Sequence, residues 1–433
     1  MKRYITAIFM FALCNPIFSQ EKDTLKSFPD VQYRSLQVTS QLWLKSDNAA
    51  GLAFSNVNRG SYTYIDRNLS NGNYHRAQEG SSNKILKFSS ERYDKLNERV
   101  MVRGLFSFSI INEGDRSWSD VKNTYNSNPF IYGSSVKGDY ETQQFDLNLK
   151  VYSKTKRRIN FGVTLDYHVS DISRQRDPRS RSYLLDYSLI PSITYKLSDY
   201  SKLGVDLYYR YDKEKMPGLS TVQTDPNLKY YTFTGLENAI GRIGGYKGFS
   251  RQFISDYTGT SLQYNYEKNN VKWLVSIGTD MQWQQTLGDK KQSPGSYNSF
   301  NYRIMSNLLI NSSKFLHNLY FKASMYDGGA DEFRQNLVSE KDPETGVITE
   351  SWITIHTYKN RVINKVSELN AYWKIYSLIY SGRGYKWSIG LSGGYYNFSN
   401  YHYLPKSEFG SGRMNFGVDG SYLLFNRKNS IVE

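Results

Sequence analysis

From about residue 97 onward the chain repeats one unit: two stretches of roughly ten residues with alternating apolar and polar side chains, joined by a tight polar turn, then a longer connection. Between Gln144 and Ser153, Phe145, Leu147, Leu149 and Val151 share one face, while Gln144, Asp146, Asn148 and Lys150 share the other. After a basic turn at Lys154 to Arg157, the next stretch sets Ile159, Phe161, Val163, Leu165, Tyr167 and Val169 against Arg158, Asn160, Thr164, Asp166 and His168. A period of two over that length predicts strands whose faces meet two different solvents. The fold class this implies is all-β, an antiparallel transmembrane β-barrel.

The pattern places strands at 98–112, 140–153, 158–169, 187–197, 202–212, 251–266, 271–285, 299–311, 314–326, 363–380, 385–398 and 412–425. Shorter alternating pieces at 60–67, 71–78 and 84–91 add one or two more, for about 13–14 in all. Tight turns are expected at 154–157, 198–201, 267–270, 312–313 and 381–384. Long loops are expected at 113–139, 170–186, 213–250, 286–298, 327–362 and 399–411, where most prolines fall. Short turns at one end and long loops at the other give the barrel its orientation in the membrane. The chain stops at Glu433, just past the turn expected at Asn426 to Asn429. A barrel closes by pairing its last strand with its first, so closing strands are expected to be missing, with about 14–16 strands in a longer form.

Composition agrees with that architecture. Tyr occurs 38 times, aromatics reach 15% and mean hydropathy is −0.61. No run of about eighteen apolar residues is present, which excludes transmembrane helices. Rings with one polar end settle where hydrocarbon meets headgroups. At the N-terminus Lys2 and Arg3 precede the apolar run Ile5 to Leu13, so residues 1–20 read as a secretory signal peptide. Residues 21–56 read as an irregular periplasmic or lumen segment, and 57–433 as the outer-membrane barrel of a Gram-negative cell. Cys14, the one cysteine, lies inside the signal behind Leu13, where a lipoprotein would have a small residue. The mature chain then has no thiol, and no cofactor is expected.

The net charge of +15 is scattered over strands and loops and gathers on no single element, so nucleic acid is not the expected partner. Outer-membrane lipid phosphates are nearer anions, and the barrel-insertion machinery is a necessary partner. Alternation sends Val100, Val102, Phe106, Phe108, Leu203, Val205, Leu207, Trp273, Val275, Ile277, Trp387, Ile389, Leu391, Phe416 and Val418 to lipid. It sends Arg103, Asp146, Lys150, Arg158, Asp166, His168, Asp206, Arg210, Lys272 and Asp280 to the lumen, since Lys or Arg at the lipid midplane costs about 2–4 kcal/mol. These charges either pair with one another and stiffen the interior or line a selective polar pathway.

Two features invite chemistry. His168 lies two residues from Asp166 on one expected face, as a general base and its carboxylate would. No nucleophile elbow, zinc motif or phosphate-cradling loop accompanies it, so the chain is not read as an enzyme and no metal is expected. In the 170–186 connection, Arg174, Arg176, Arg179 and Arg181 offer guanidinium forks suited to lipid phosphates or an acidic partner. Local pairing with Asp171 and Asp177 is the other reading of this cluster. The 327–362 connection is acidic, through Asp331, Glu332, Glu340, Asp342, Glu344 and Glu350, and docked on the basic loop it would cap the mouth.

Several strings, Tyr74-His75-Arg76-Ala77-Gln78-Glu79-Gly80, Trp118-Ser119-Asp120-Val121, Arg176-Asp177-Pro178-Arg179-Ser180-Arg181, Thr224-Asp225-Pro226-Asn227-Leu228-Lys229-Tyr230-Tyr231 and Glu340-Lys341-Asp342-Pro343-Glu344-Thr345-Gly346, resemble an uncharacterised family of Bacteroidetes outer-membrane β-barrel proteins. The likeness covers the chain from Trp43 onward. Asn48-Ala49-Ala50-Gly51-Leu52 is similar to the Asn-Pro-Ala-Gly-Leu opening of fatty-acid-transporter-type barrels, with Ala in place of Pro. The first resemblance implies company with TonB-dependent receptors, and a chain that runs several strands further. The expected function is passage, or assisted import, of a small polar or amphipathic nutrient. The alternative is a non-transporting scaffold for a TonB-dependent receptor or surface lipoprotein, and a barrel hydrolase on His168 and Asp166 is the third class.

Overall fold

The alternation becomes a single meandering sheet. The computed structural model describes residue 36 and residues 38–55, 60–125, 128–155, 157–222, 230–235, 239–242, 249–341, 343–379, 384–423, 425–427 and 430–432. The signal-like segment 1–20 lies outside the described residues. In chain order the strands are β1 (Gly60–Asn71), β2 (Ser82–Lys95), β3 (Val100–Arg116), β4 (Tyr132–Ser134), β5 (Gly138–Ser153), β6 (Ile159–Arg174), β7 (Arg179–Lys196), β8 (Ser201–Met216), β9 (Leu219–Ser220) and β10 (Tyr230–Phe233). They continue with β11 (Ala239–Arg242), β12 (Arg251–Lys268), β13 (Val271–Gly288), β14 (Gly295–Asn311), β15 (Phe315–Lys341), β16 (Ile348–Leu378), β17 (Tyr385–Tyr403), β18 (Lys406–Tyr422), β19 (Phe425–Arg427) and β20 (Ser430–Val432).

Fourteen strands pair in the order β1-β2-β3-β5-β6-β7-β8-β12-β13-β14-β15-β16-β17-β18, and β9 joins β7 off that path. Among the described residues no pairing joins β1 to β18, and β19 pairs only with β20 in a short hairpin. Register keeps each face pure. Leu147 stands opposite Tyr167 and Leu165 opposite Leu189, while Asp146 stands opposite His168 and His168 opposite Asp186. A slip of one residue would swap the apolar and polar faces of a strand, so the two solvents fix the pairing. The outward side chains Phe161, Leu207, Leu262 and Ile277 are exposed, as hydrocarbon contact requires.

Four expected loops turn out to be largely strand. Only 175–178, 289–294, 342–347 and 404–405 remain between the strands that replace 170–186, 286–298, 327–362 and 399–411. The ladder continues where water wets both faces, so the apolar–polar contrast that marks a membrane strand disappears while backbone pairing persists. β15 and β16 run furthest, pairing out to Lys341 and Ile348 with register shifts after Ala330 and Arg334.

The other two long connections fold inward. β4, β10 and β11, drawn from the connections after β3 and β8, form a separate three-stranded sheet in the order β11-β10-β4. Phe130, Ile131, Tyr132, Tyr230 and Phe233 pack there on the inward wall residues Met216, Phe253, Tyr297, Ala330 and Val362. At the short-turn end, two 3-10 turns, Leu42–Lys45 and Ala49–Phe54, pack on Met101, Tyr152, Leu274, Leu309, Leu316 and Tyr376. The interior is therefore covered from both ends.

Candidate functional site

The candidate site is the polar interior between these two inner layers. Its lower boundary is the segment from Gln41 to Ser55. Asn48 caps the second 3-10 turn by accepting from Gly51 N at 3.1 Å, and its Nδ2 donates to Val205 O at 3.2 Å and to Gln263 Oε1 at 2.9 Å. The wall supplies further bonds: Lys150 Nζ donates to Ser46 O at 2.6 Å, Thr164 Oγ1 to Asp47 O at 2.7 Å, and Ala50 N donates to Ser192 Oγ at 3.1 Å. Close approach needs missing side chains. A Cβ on Gly51 would stand 1.9 Å from Trp43 Cε3, and one on Gly162 2.4 Å from Ala50 N.

The upper boundary is ionic as well as aromatic. Asp120, fully buried, accepts from Tyr230 OH at 2.6 Å and from Tyr140 OH, and stands 3.8 Å from Arg174 Nη1. Arg174 also donates to Tyr140 OH at 2.9 Å and Val136 O at 2.6 Å. Glu214 reaches up from β8 and accepts from Lys122 N at 3.0 Å. Burial pulls the Lys122 ammonium below its usual pKa, against the opposing pull of Glu214 and Asp146.

Between the boundaries the sequence-expected lumen residues pair in the wall. Arg103 Nε donates to Glu91 Oε1 at 2.7 Å and its Nη1 to Asn148 Oδ1 at 2.9 Å. Arg210 grips Asp186 with two bonds of 2.8 Å and lies 3.5 Å from Asp212. Asp280 meets Arg303 at 2.8 Å. Asp206 accepts from Ser261 Oγ at 2.7 Å and Gln263 Nε2 at 2.6 Å, which ties it through Gln263 to Asn48. Lys150 is buried under the lower segment, and Lys272 is half-buried near the short turn that starts β13. Arg158 is exposed in the turn before β6.

His168 is not set beside Asp166 as a dyad. Its Nδ1 lies 2.5 Å from Asp146 Oδ1, across the strand pair, whereas Asp166 accepts from Asn148 Nδ2 and Ser188 Oγ. Residues two apart on a strand project side by side along it, and the cross-strand neighbour is closer. A cavity of about 130 Å³ opens here, lined in part by Ser107, Asp146, Asn148, Asp166, His168 and Asp186. Among the described residues no group of three or more His, Asp or Glu is placed to hold a metal ion.

The arginine cluster divides. Arg174 is buried in β6, while Arg181 pairs with Asp171 at 2.5 Å and Arg179 with Asp177 at 3.0 Å on the surface. Arg176 donates to Lys137 O at 3.2 Å. Two carboxylates of the acidic connection pair elsewhere: Glu332 takes Arg361 at 3.1 Å and Glu350 takes Lys290. Its two arms pair with each other as a hairpin.

Asp186 and Glu214 carry much of this arrangement and were not singled out by sequence, and Asn48 was marked only as part of a family-like string. Asp186 has the same alternation signal as Asp166, but lay in an expected loop. The sequence profile of a family of unknown function, DUF6850, matches residues 49–432. The chain belongs to this family. No curated protein matches the sequence. Among solved structures, the chain is similar to the copper transporter OprC, at 10% identity, TM-score 0.39, covering 85% of this chain and 59% of that one. It is similar to the ferric citrate transporter FecA in the unliganded form, at 9% identity, TM-score 0.38, with 84% and 66% covered. The Pseudomonas putida toluene transporter TodX matches at 10% identity, TM-score 0.36, with 88% and 93% covered. The chain thus spans about three fifths of the copper transporter's length.

Proposed function

We propose that this member of DUF6850 is an outer-membrane β-barrel through which a small polar or amphipathic solute passes, with the Gln41–Ser55 segment as its movable inner seal. The observation that carries the reading is how that segment is held. Beyond the bonds within its own short turns, its polar groups bond to side chains and carbonyls of the surrounding wall, through Lys150, Thr164, Ser192, Val205 and Gln263. Such bonds exchange with water at a net cost of only about 0.5–1.5 kcal/mol each. The exposed outward belt of Phe161, Leu207, Leu262 and Ile277 supports a lipid setting, since patches of that extent on a soluble surface are rare. Paired wall charges favour a hydrated path over a chemical one, so catalysis is not part of the proposal.

Planar-bilayer recording of the purified chain tests this. Closed or flickering channels that become steadily open when Gly162→Leu pushes Ala50 off the wall support it. Silence of both forms, in protein that keeps the barrel's heat-modifiable mobility, overturns it. A second reading, a scaffold for a TonB-dependent receptor or surface lipoprotein, is favoured by the β15–β16 hairpin, whose Ile348, Ile353 and Ile355 are exposed beyond the wall. Removing residues 334–356 would then abolish co-purification of such a partner while leaving conductance unchanged.

A further inference from the structure

The cavity of about 130 Å³ beside His168 has a definite place in the ladder. Its inward lining comes from two neighbouring rungs that cross β3, β5, β6 and β7. One rung carries Ser107, Asp146, His168 and Asp186, and the next carries Leu105, Asn148 and Asp166. Asp146 and Asp166 are therefore diagonal neighbours, with backbones about 7–8 Å apart and both side chains on the open face. A cavity of about 150 Å³ holds a benzene ring, so a molecule slightly smaller than benzene fits between them. Among the described residues no group of three or more His, Asp or Glu is placed for a metal, whose ligands must close to about 2.0–2.6 Å.

The chemistry of this space is one-sided. Asp166 accepts from the Asn148 amide and from Ser188 Oγ at 3.2 Å, both neutral, and among the described residues no Lys or Arg pairs with it. Asp146 meets His168 at 2.5 Å and Gln144 Nε2 at 3.0 Å. The neighbouring cations are turned to other groups: Arg103 to Glu91 at 2.7 Å, Arg210 to Asp186 at 2.8 Å, and Lys122 Nζ to Gln144 Oε1 at 3.2 Å. An ionised carboxylate offers about four lone-pair sites, so acceptors outnumber donors around the cavity. Leu105 adds an apolar wall on the β3 side. The complementary ligand is a cation that donates, accepts nothing and carries a little hydrocarbon.

We propose that this cavity binds a primary ammonium on a short alkyl stem. The ammonium sits between the two rungs and donates to Asp146 and Asp166, and the stem lies against Leu105. The proposal names a solute class for the proposed passage. As a station in that passage the site rests on the transport reading; as a binding site it does not.

Calorimetric titration of the full chain in detergent with butylammonium, tetramethylammonium, 1-butanol and calcium tests it. Tetramethylammonium keeps the charge and the number of heavy atoms but has no N–H, and 1-butanol keeps the stem but has no charge. Saturable butylammonium binding, with both analogues weaker by about tenfold or more, supports the proposal. Asp166→Asn, which keeps the side-chain shape, should weaken butylammonium about tenfold, and Leu105→Phe should abolish binding by filling the space. Absence of saturable butylammonium binding overturns the proposal, as does tetramethylammonium, 1-butanol or calcium binding as tightly. Undiminished binding in heat-modifiable Asp166→Asn or Leu105→Phe overturns it too. Butylammonium bound by a chain that never conducts would overturn the transport reading and leave this site standing, whereas a conducting chain that binds none would overturn this site alone.

Discussion

The two inner layers close the same lumen by opposite means. The lower one is a single peptide, Gln41–Ser55, fitted by small residues against the wall and tied by neutral or singly charged hydrogen bonds. The upper one is knitted from two connections into β4, β10 and β11 and pinned by a carboxylate with two phenols and a guanidinium around it. Removing one member of the upper network strands a buried charge. Removing one bond of the lower segment leaves groups that water can reach once the segment lifts. Under the proposed function the contrast assigns the moving end: the lower segment would act as a latch, and the upper sheet as a fixture.

The largest effect should come from breaking the fixture. Asp120→Ala leaves Arg174 buried beside two phenols with no anion, and a loss of about 3–5 kcal/mol is expected in the urea unfolding midpoint of the detergent-solubilised chain. Asp120→Asn, which keeps the shape and one acceptor, should lose less. If Asp120→Ala unfolds at the wild-type midpoint, the upper layer is not pinned as described.

Next comes the latch. Gly162→Leu drives side-chain volume into the Ala50 backbone and should weaken docking by about 1–3 kcal/mol while the barrel itself stays folded. Asn48→Ala removes the cap and the wall bonds to Ile193, Val205 and Gln263 together, at about 0.5–2 kcal/mol. Both variants should raise the open fraction in bilayer recordings, Gly162→Leu the more. An equal rise from Asp120→Asn would erase the distinction between latch and fixture.

How much of this was legible beforehand depended on contrast. Where lipid lies on one side and water on the other, as at Phe161 and Asn160, alternation gave both strand and facing. Beyond the membrane the two faces of β15 and β16 are both wet, and the strands there read as loop. The latch left another kind of trace: Asn48-Ala49-Ala50-Gly51-Leu52 has no period to read, and only the wall's glycine at Gly162 and hydroxyl at Thr164 record that a backbone lies on them. Cross-strand partners are also hidden in a linear chain. His168 was matched with Asp166 because they are neighbours in sequence, while the ladder gives it Asp146.

The smallest expected effect sharpens the comparison most closely, because it contrasts two members of one arginine run. Arg174 is enclosed by the upper layer, whereas the side chain of Arg181, seven residues on, is 56% exposed and faces Asp171 across a tight hairpin. A surface pair of this kind is screened by water and salt and contributes about 0–1 kcal/mol. Arg181→Ala should therefore shift the unfolding midpoint by no more than about 0.5 kcal/mol. Arg174→Ala should cost several times as much, since it leaves Asp120 buried with only phenolic donors. Salt separates them further: raising ionic strength should shrink the Arg181 effect and leave the Arg174 effect nearly unchanged, because screening acts over exposed charges and not inside a packed layer. Equal sensitivity of the two variants to salt would mean that water enters the upper layer, and the fixture would then be as loose as the latch.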